Sequence, residues 1–96
     1  MTLEQLQKDI HDNAKQKGFW DSPREFGTMI ALIHSELSEA LEADRTGDFD
    51  GVCEELADAV IRILDTAEGL GIPLSYHIRE KMGFNRLRER LHGNLY

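Results

Sequence analysis

The chain reads as an all-α domain of four helices, an antiparallel bundle completed by dimerisation. Three observations predict it. Apolar residues recur at helical spacing through four segments, and both prolines, Pro23 and Pro73, stand where a helix would start. No stretch alternates with the two-residue period of a strand or carries hairpin-turn chemistry.

The first helix is expected from about Thr2 to Gln16. Thr2 and Gln5 make a capping box, Leu3, Leu6, Ile10 and Ala14 form one apolar stripe, and Lys17-Gly18 ends the segment. His11 lies beside that stripe and reads as a solvent-edge or core-satisfied histidine. Phe19-Trp20-Asp21 is the connection, with Trp20 read as a packing anchor whose flat face could instead hold a nucleobase. Ser22 as N-cap, Pro23 at the first position and Glu25 at N3 predict the start of the second helix, which runs to about Asp44 or Arg45. The third is expected from Asp48 or Asp50 to about Glu68, stopped by Gly69 and Gly71. The fourth should start at Pro73 and reach about Arg90, with Ile78, Met82, Leu87 and Leu91 as its apolar contacts.

Composition sets the limits. A chain of 96 residues makes a single domain, spanning 1–96. One of this size buries only about two-thirds of its unfolded surface. An apolar share of 41% is enough for a core. The net charge of −7 argues against a nucleic-acid or anionic-membrane partner, both of which need a basic face. A polyphosphate ligand would need a cation between it and so acidic a protein. Cys53 is the single cysteine, and it falls on the apolar side of its helix, where a packed, inert thiol is expected. No leader pattern and no apolar run near the ~20 residues of a membrane span is visible, so a cytoplasmic location is expected.

Two acidic pairs stand out. Glu36 and Glu39 are three residues apart, as are Glu55 and Asp58, and i and i+3 share a helix face. On the second helix Phe26, Ile30, Ile33, Leu37, Ala40 and Leu41 cluster on one side, extended by Met29, Leu32 and Ala43. Glu36 falls inside that arc, between Met29 and Ala43, and Glu39 at its border. Burying an unpaired carboxylate costs several kcal/mol, so Glu36 demands a cation, a proton or a strong donor. Glu55 and Asp58 instead read, with Glu54 and Asp65, as a solvated face opposite Val52, Cys53, Leu56, Val60, Ile63 and Leu64. Arg62 is then available to Asp58 at i+4. A helix buried on one side by its own chain and on the other by a second subunit reconciles these readings. On neighbouring helices the two pairs could bring four carboxylates together, the oxygen-rich site Mg²⁺ requires. On the fourth helix His77, Lys81, Asn85 and Arg88 fall in one stripe. Taken alone it reads as a solvated basic helix end complementing the helix dipole, although Lys81, Asn85 and Arg88 also make a donor set suited to phosphate oxygens.

The order of acidic pair, spacer, acidic pair and then Lys-x-x-x-Asn-x-x-Arg resembles the MazG-like all-α nucleoside triphosphate pyrophosphohydrolases. Their signature is Glu-Glu-x-x-Glu, a spacer and Glu-x-x-Asp. Glu36, Glu39, Glu55 and Asp58 match four of those acids, while Ser35 stands where the first glutamate would be. Lys81, Asn85 and Arg88 match the downstream phosphate-binding motif, and His92-Gly93 follows it; the likeness covers roughly residues 10 to 93. The resemblance implies cleavage of a nucleoside triphosphate between the α and β phosphates, giving a monophosphate and pyrophosphate. It implies removal of non-standard or surplus nucleotides and a dimer or tetramer with the site between subunits. It implies Mg²⁺, with Mn²⁺ able to substitute, held by Glu36, Glu39, Glu55 and Asp58. Glu36 or Glu39 would orient the attacking water, Lys81, Asn85 and Arg88 would bind phosphate, and Trp20 would line the base pocket.

Two other readings compete. A ferritin-like di-iron site needs Glu-x-x-His on two helices, and the chain offers it once, at Glu89 and His92. A catalytically silent helical module using its acidic face to bind a protein partner would instead tolerate loss of Glu36.

Overall fold

The computed structural model describes residues 1–88, and among them every regular element is helical. α1 spans Leu3–Gln16, α2 Phe26–Arg45, α3 Phe49–Gly69 and α4 Leu74–Arg86. The α1 start is the expected capping box: Thr2 Oγ1 accepts from the Gln5 amide at 3.1 Å, and Gln5 Oε1 accepts from the Thr2 amide at 2.7 Å. Gly18 (φ 87°) and Gly47 (φ 76°) follow α1 and α2 in the left-handed region, where a side chain is strained. Asp48 caps α3, accepting from the Gly51 amide at 2.9 Å.

The start of α2 differs from the sequence expectation. The Ser22-Pro23-Glu25 box does not form; the helix begins at Phe26, and its N-cap, Glu25, makes no side-chain capping bond. The physical reason lies upstream. Trp20 Nε1 donates to Asp65 Oδ1 at 2.9 Å, and Arg24 reaches the same carboxylate at 3.7 Å while covering the Trp20 ring. These ties to α3 hold residues 20–24 outside helical geometry. They outweigh an N-cap worth about 1 kcal/mol.

The core lies where α3 meets α1 and α2, and it is built mainly from small side chains. Ala14, Ala40, Ala59 and Ala67 let the helices approach closely, and Met29 and Leu64 (2% exposed) fill the space between them. Ala43 faces Gly51, Glu36 faces Arg62 and Met29 faces Thr66, so α2 and α3 pack along their length on either side of the Thr46–Asp48 turn. α4 sits apart from this centre and touches mainly α1. Gln7, buried, ties the α3–α4 turn to α1 by donating to Glu68 Oε1 and to the Ile72 carbonyl, both at 3.0 Å. The hydrogen bond from Ser75, helped by nearby Arg79, holds the Glu4 carboxyl below its ordinary value.

Asp65 belongs not to a solvated face but to the interior, because α1 and residues 19–24 cover that side of α3. Cys53 is exposed rather than packed. It shares an uncovered apolar surface with Leu37 and Leu41 of α2 and Leu56, Val60 and Ile63 of α3. α4 ends at Arg86, so Arg88 lies beyond the helix that was to carry it, and Ile78, Met82 and Leu87 are exposed. Leu91, Glu89, His92, Gly93 and the rest of the C-terminal segment lie outside the described residues.

Candidate functional site

Glu36 is 8% exposed, as its place inside the apolar arc of α2 requires. Its counter-charge comes from α3: Arg62 Nε donates to Glu36 Oε1 at 2.9 Å. Arg62 therefore serves Glu36 across the helix pair and not Asp58 along its own helix. The difference is physical, since a buried carboxylate gains far more from a guanidinium than an exposed one does.

Around this pair the acids converge. One carboxylate oxygen from each of Glu36, Glu39 and Glu55 lies within 4.8 Å of the others. Glu39 is exposed, Glu55 half-buried. Glu55 Oε2 is shut off from solvent and has no hydrogen-bond partner among the described residues. The Glu55 carboxyl rises from 4.5 to about 7. The neighbouring Glu39 carboxyl, with which a proton on Glu55 would be shared, contributes most, followed by burial and then the charges of Glu39, Glu36 and Asp58. Asp58 is exposed and stands outside the tight group, close enough to act on Glu55 through its charge.

Glu36, Asp58 and Arg62 form one wall of an open cleft of about 690 Å³. Phe19 and Arg24 from the connection line it, together with Asp9 and Asn13 from α1 and Leu32 and Ile61 on its apolar side. Asp65 closes the cleft wall and anchors it, binding His11 Nδ1 at 2.8 Å as well as Trp20 and Arg24. Trp20 stacks edge-on against His11 and lies over Gly69, which makes it the expected packing anchor and leaves its indole nitrogen engaged.

Within the described chain the basic residues of the fourth segment do not join this cluster. Lys81, Asn85 and Arg88 are exposed, and Lys81 and Arg88 both lie over the Phe84 ring at 5.1 and 5.4 Å. The residues sequence reasoning missed are Arg62 as the partner of Glu36, and Asp65, Arg24 and Phe19 as cleft walls. A signal existed for two of them. Asp58, Arg62 and Asp65 fall at i, i+4 and i+7, a single charged stripe on the α3 face that carries the acids.

No family model, curated protein or solved structure matches this chain.

Proposed function

We propose that the chain is a Mg²⁺-dependent nucleoside triphosphate pyrophosphohydrolase of the MazG-like kind, an antiparallel helix bundle completed by self-association into a dimer or tetramer. The observation that carries this reading is the meeting of Glu36, Glu39 and Glu55 around a carboxylate oxygen that lacks a partner. The donor set fits a hard divalent cation. Ligand oxygens of an octahedral Mg²⁺ shell lie about 3–4 Å apart, so a spread of 4.8 Å closes with small side-chain rotations. Three or four carboxylates crowded together also repel one another, which favours any cation that enters.

Glu36, Glu39, Glu55 and Asp58 would hold Mg²⁺, and Mn²⁺ could replace it. Bound there, the ion would offset phosphate charge and acidify the attacking water. Glu36 or Glu39 would orient that water toward the α-phosphorus. The bond between the α and β phosphates then breaks and pyrophosphate leaves, a reaction that asks for positioning and charge neutralisation rather than a protein nucleophile. The nucleobase would take the part of the cleft lined by Phe19, Leu32 and Ile61, and Trp20 would border it through Arg24, which covers its ring and lines the cleft. Lys81, Asn85 and Arg88 lie away from the acids in one chain, so a second copy would bring them to the phosphates. The uncovered apolar surface of α2 and α3 supports such a copy, since monomers rarely leave so many large apolar side chains together in water.

The test is to incubate the protein with Mg²⁺ and a panel of nucleoside triphosphates and to identify the phosphate product. Pyrophosphate is expected. Orthophosphate would place the cut elsewhere, and no product with any nucleotide would favour the silent binding module.

A further inference from the structure

Arg62 meets two demands at once. Its Nε is committed to Glu36 Oε1 at 2.9 Å, at the edge of the acidic cluster. Its side chain is 38% exposed and lines the cleft, and among the described residues no side-chain hydrogen bond from its two terminal nitrogens adds to the one from Nε. A guanidinium presents its donors as a rigid fork: one terminal N–H lies parallel to Nε–H on the edge facing Glu36, and the other three point away from it. The other cleft arginine is less free. Arg24 reaches the Asp65 carboxylate and lies over the Trp20 ring at 5.1 Å.

We infer that Arg62 is a phosphate-contacting residue of the cleft, holding Glu36 through Nε while its terminal nitrogens bind oxygens of a polyphosphate chain. This rests on the cation-site reading of the acids, because a polyphosphate approaching Glu36, Asp58 and Asp65 unaided meets only like charge. Arg62 is supplied by the same chain as the carboxylates. It therefore couples cation and anion: the residue that orients Glu36 for the ion also faces the phosphates the ion would neutralise. Lys81, Asn85 and Arg88 cannot do this within one chain, since α4 packs mainly on α1.

The experiment compares wild type, Arg62→Gln and Arg62→Lys by calorimetry with two probes, Mn²⁺ alone and the preformed complex of Mn²⁺ with inorganic tripolyphosphate. Loss of charge-assisted hydrogen bonds predicts that Arg62→Gln binds the complex at least about tenfold more weakly. Arg62→Lys keeps a charge for Glu36 but lacks the fork, so it should also lose affinity for the complex, by a smaller factor. Mn²⁺ alone should lose less affinity in both variants than the complex does. Wild-type affinity for the complex in Arg62→Lys overturns the inference, and that variant decides the matter if Arg62→Gln does not fold. Equal losses for Mn²⁺ and for the complex also overturn it, reducing Arg62 to a prop for Glu36. A wild type that binds Mn²⁺ but not the complex refutes the role of Arg62 and leaves the cation site standing. Arg62-dependent tripolyphosphate binding by a protein with no affinity for Mn²⁺ would do the reverse.

Discussion

Substituting Gly69 by alanine tests how the cleft wall is built, because two principles predict opposite signs. Gly69 is the last residue of α3, and replacing glycine by alanine in a helix ordinarily stabilises it by about 1 kcal/mol. Here an added Cβ would run into Cη2 of Trp20 and lie 2.6 Å from Cζ2. The indole cannot simply move aside. Its nitrogen is bonded to Asp65 at 2.9 Å, and its ring is fixed between His11 and Arg24. Overpacking costs roughly 1–3 kcal/mol. Losing a hydrogen bond to a charged acceptor costs about 1.5–3 kcal/mol more. Set against the helical gain, the net is a destabilisation of about 1.5–5 kcal/mol. A domain of this size should then lose roughly 8–25 °C in Tm. Thermal unfolding followed by circular dichroism, at a fixed protein concentration, reads the value directly. A Tm equal to or above wild type would refute the packing of Trp20 on α3 and, with it, the position of Asp65 in the cleft wall.

Other outcomes follow from the same geometry. Glu36→Gln and Asp58→Asn should each abolish pyrophosphate release in the Mg²⁺ assay while leaving far-UV circular dichroism unchanged; full activity in both would remove the cation site. In metal-free protein the Glu55 carboxyl, raised from 4.5 to about 7, binds its proton more tightly folded than unfolded. Its contribution is therefore fully present below pH 4.5 and is lost as pH rises through about 7. Tm in EDTA should fall across that window more steeply for wild type than for Glu55→Gln, and parallel profiles would contradict the crowding of the acids. Finally, Leu56→Asp, on the uncovered apolar surface, should shift sedimentation toward the monomer without loss of helicity. An unchanged sedimentation coefficient would show that self-association uses another face.

What could be read in the chain beforehand divides by how local its cause is. The α1 capping box was legible because both partners lie within one turn. The burial of Glu36 was legible because the apolar arc of a single helix places it inward. Its partner was not: i+4 spacing points Arg62 at Asp58, and only the packing of α2 on α3 turns it to Glu36, 26 residues away. Asp65 was misjudged for a related reason. Periodicity sees one apolar face of α3, whereas α1 and the Trp20 connection cover a second, polar one through His11, Trp20 and Arg24. That same set of bonds overrides the Ser22-Pro23 start of α2. The convergence of Glu39 and Glu55 followed from matched i, i+3 spacing on two packed helices, while Asp58 stands outside the tight group.

The most direct measurement is anomalous scattering from crystals of the protein soaked in Mn²⁺. A peak bounded by Glu36, Glu39 and Glu55, with carboxylate oxygens at about 2.1–2.2 Å, is the predicted result. Ordered density for the three side chains with no peak between them, or a Mn²⁺ peak seated instead on Asp65 or Glu4, would contradict the assignment.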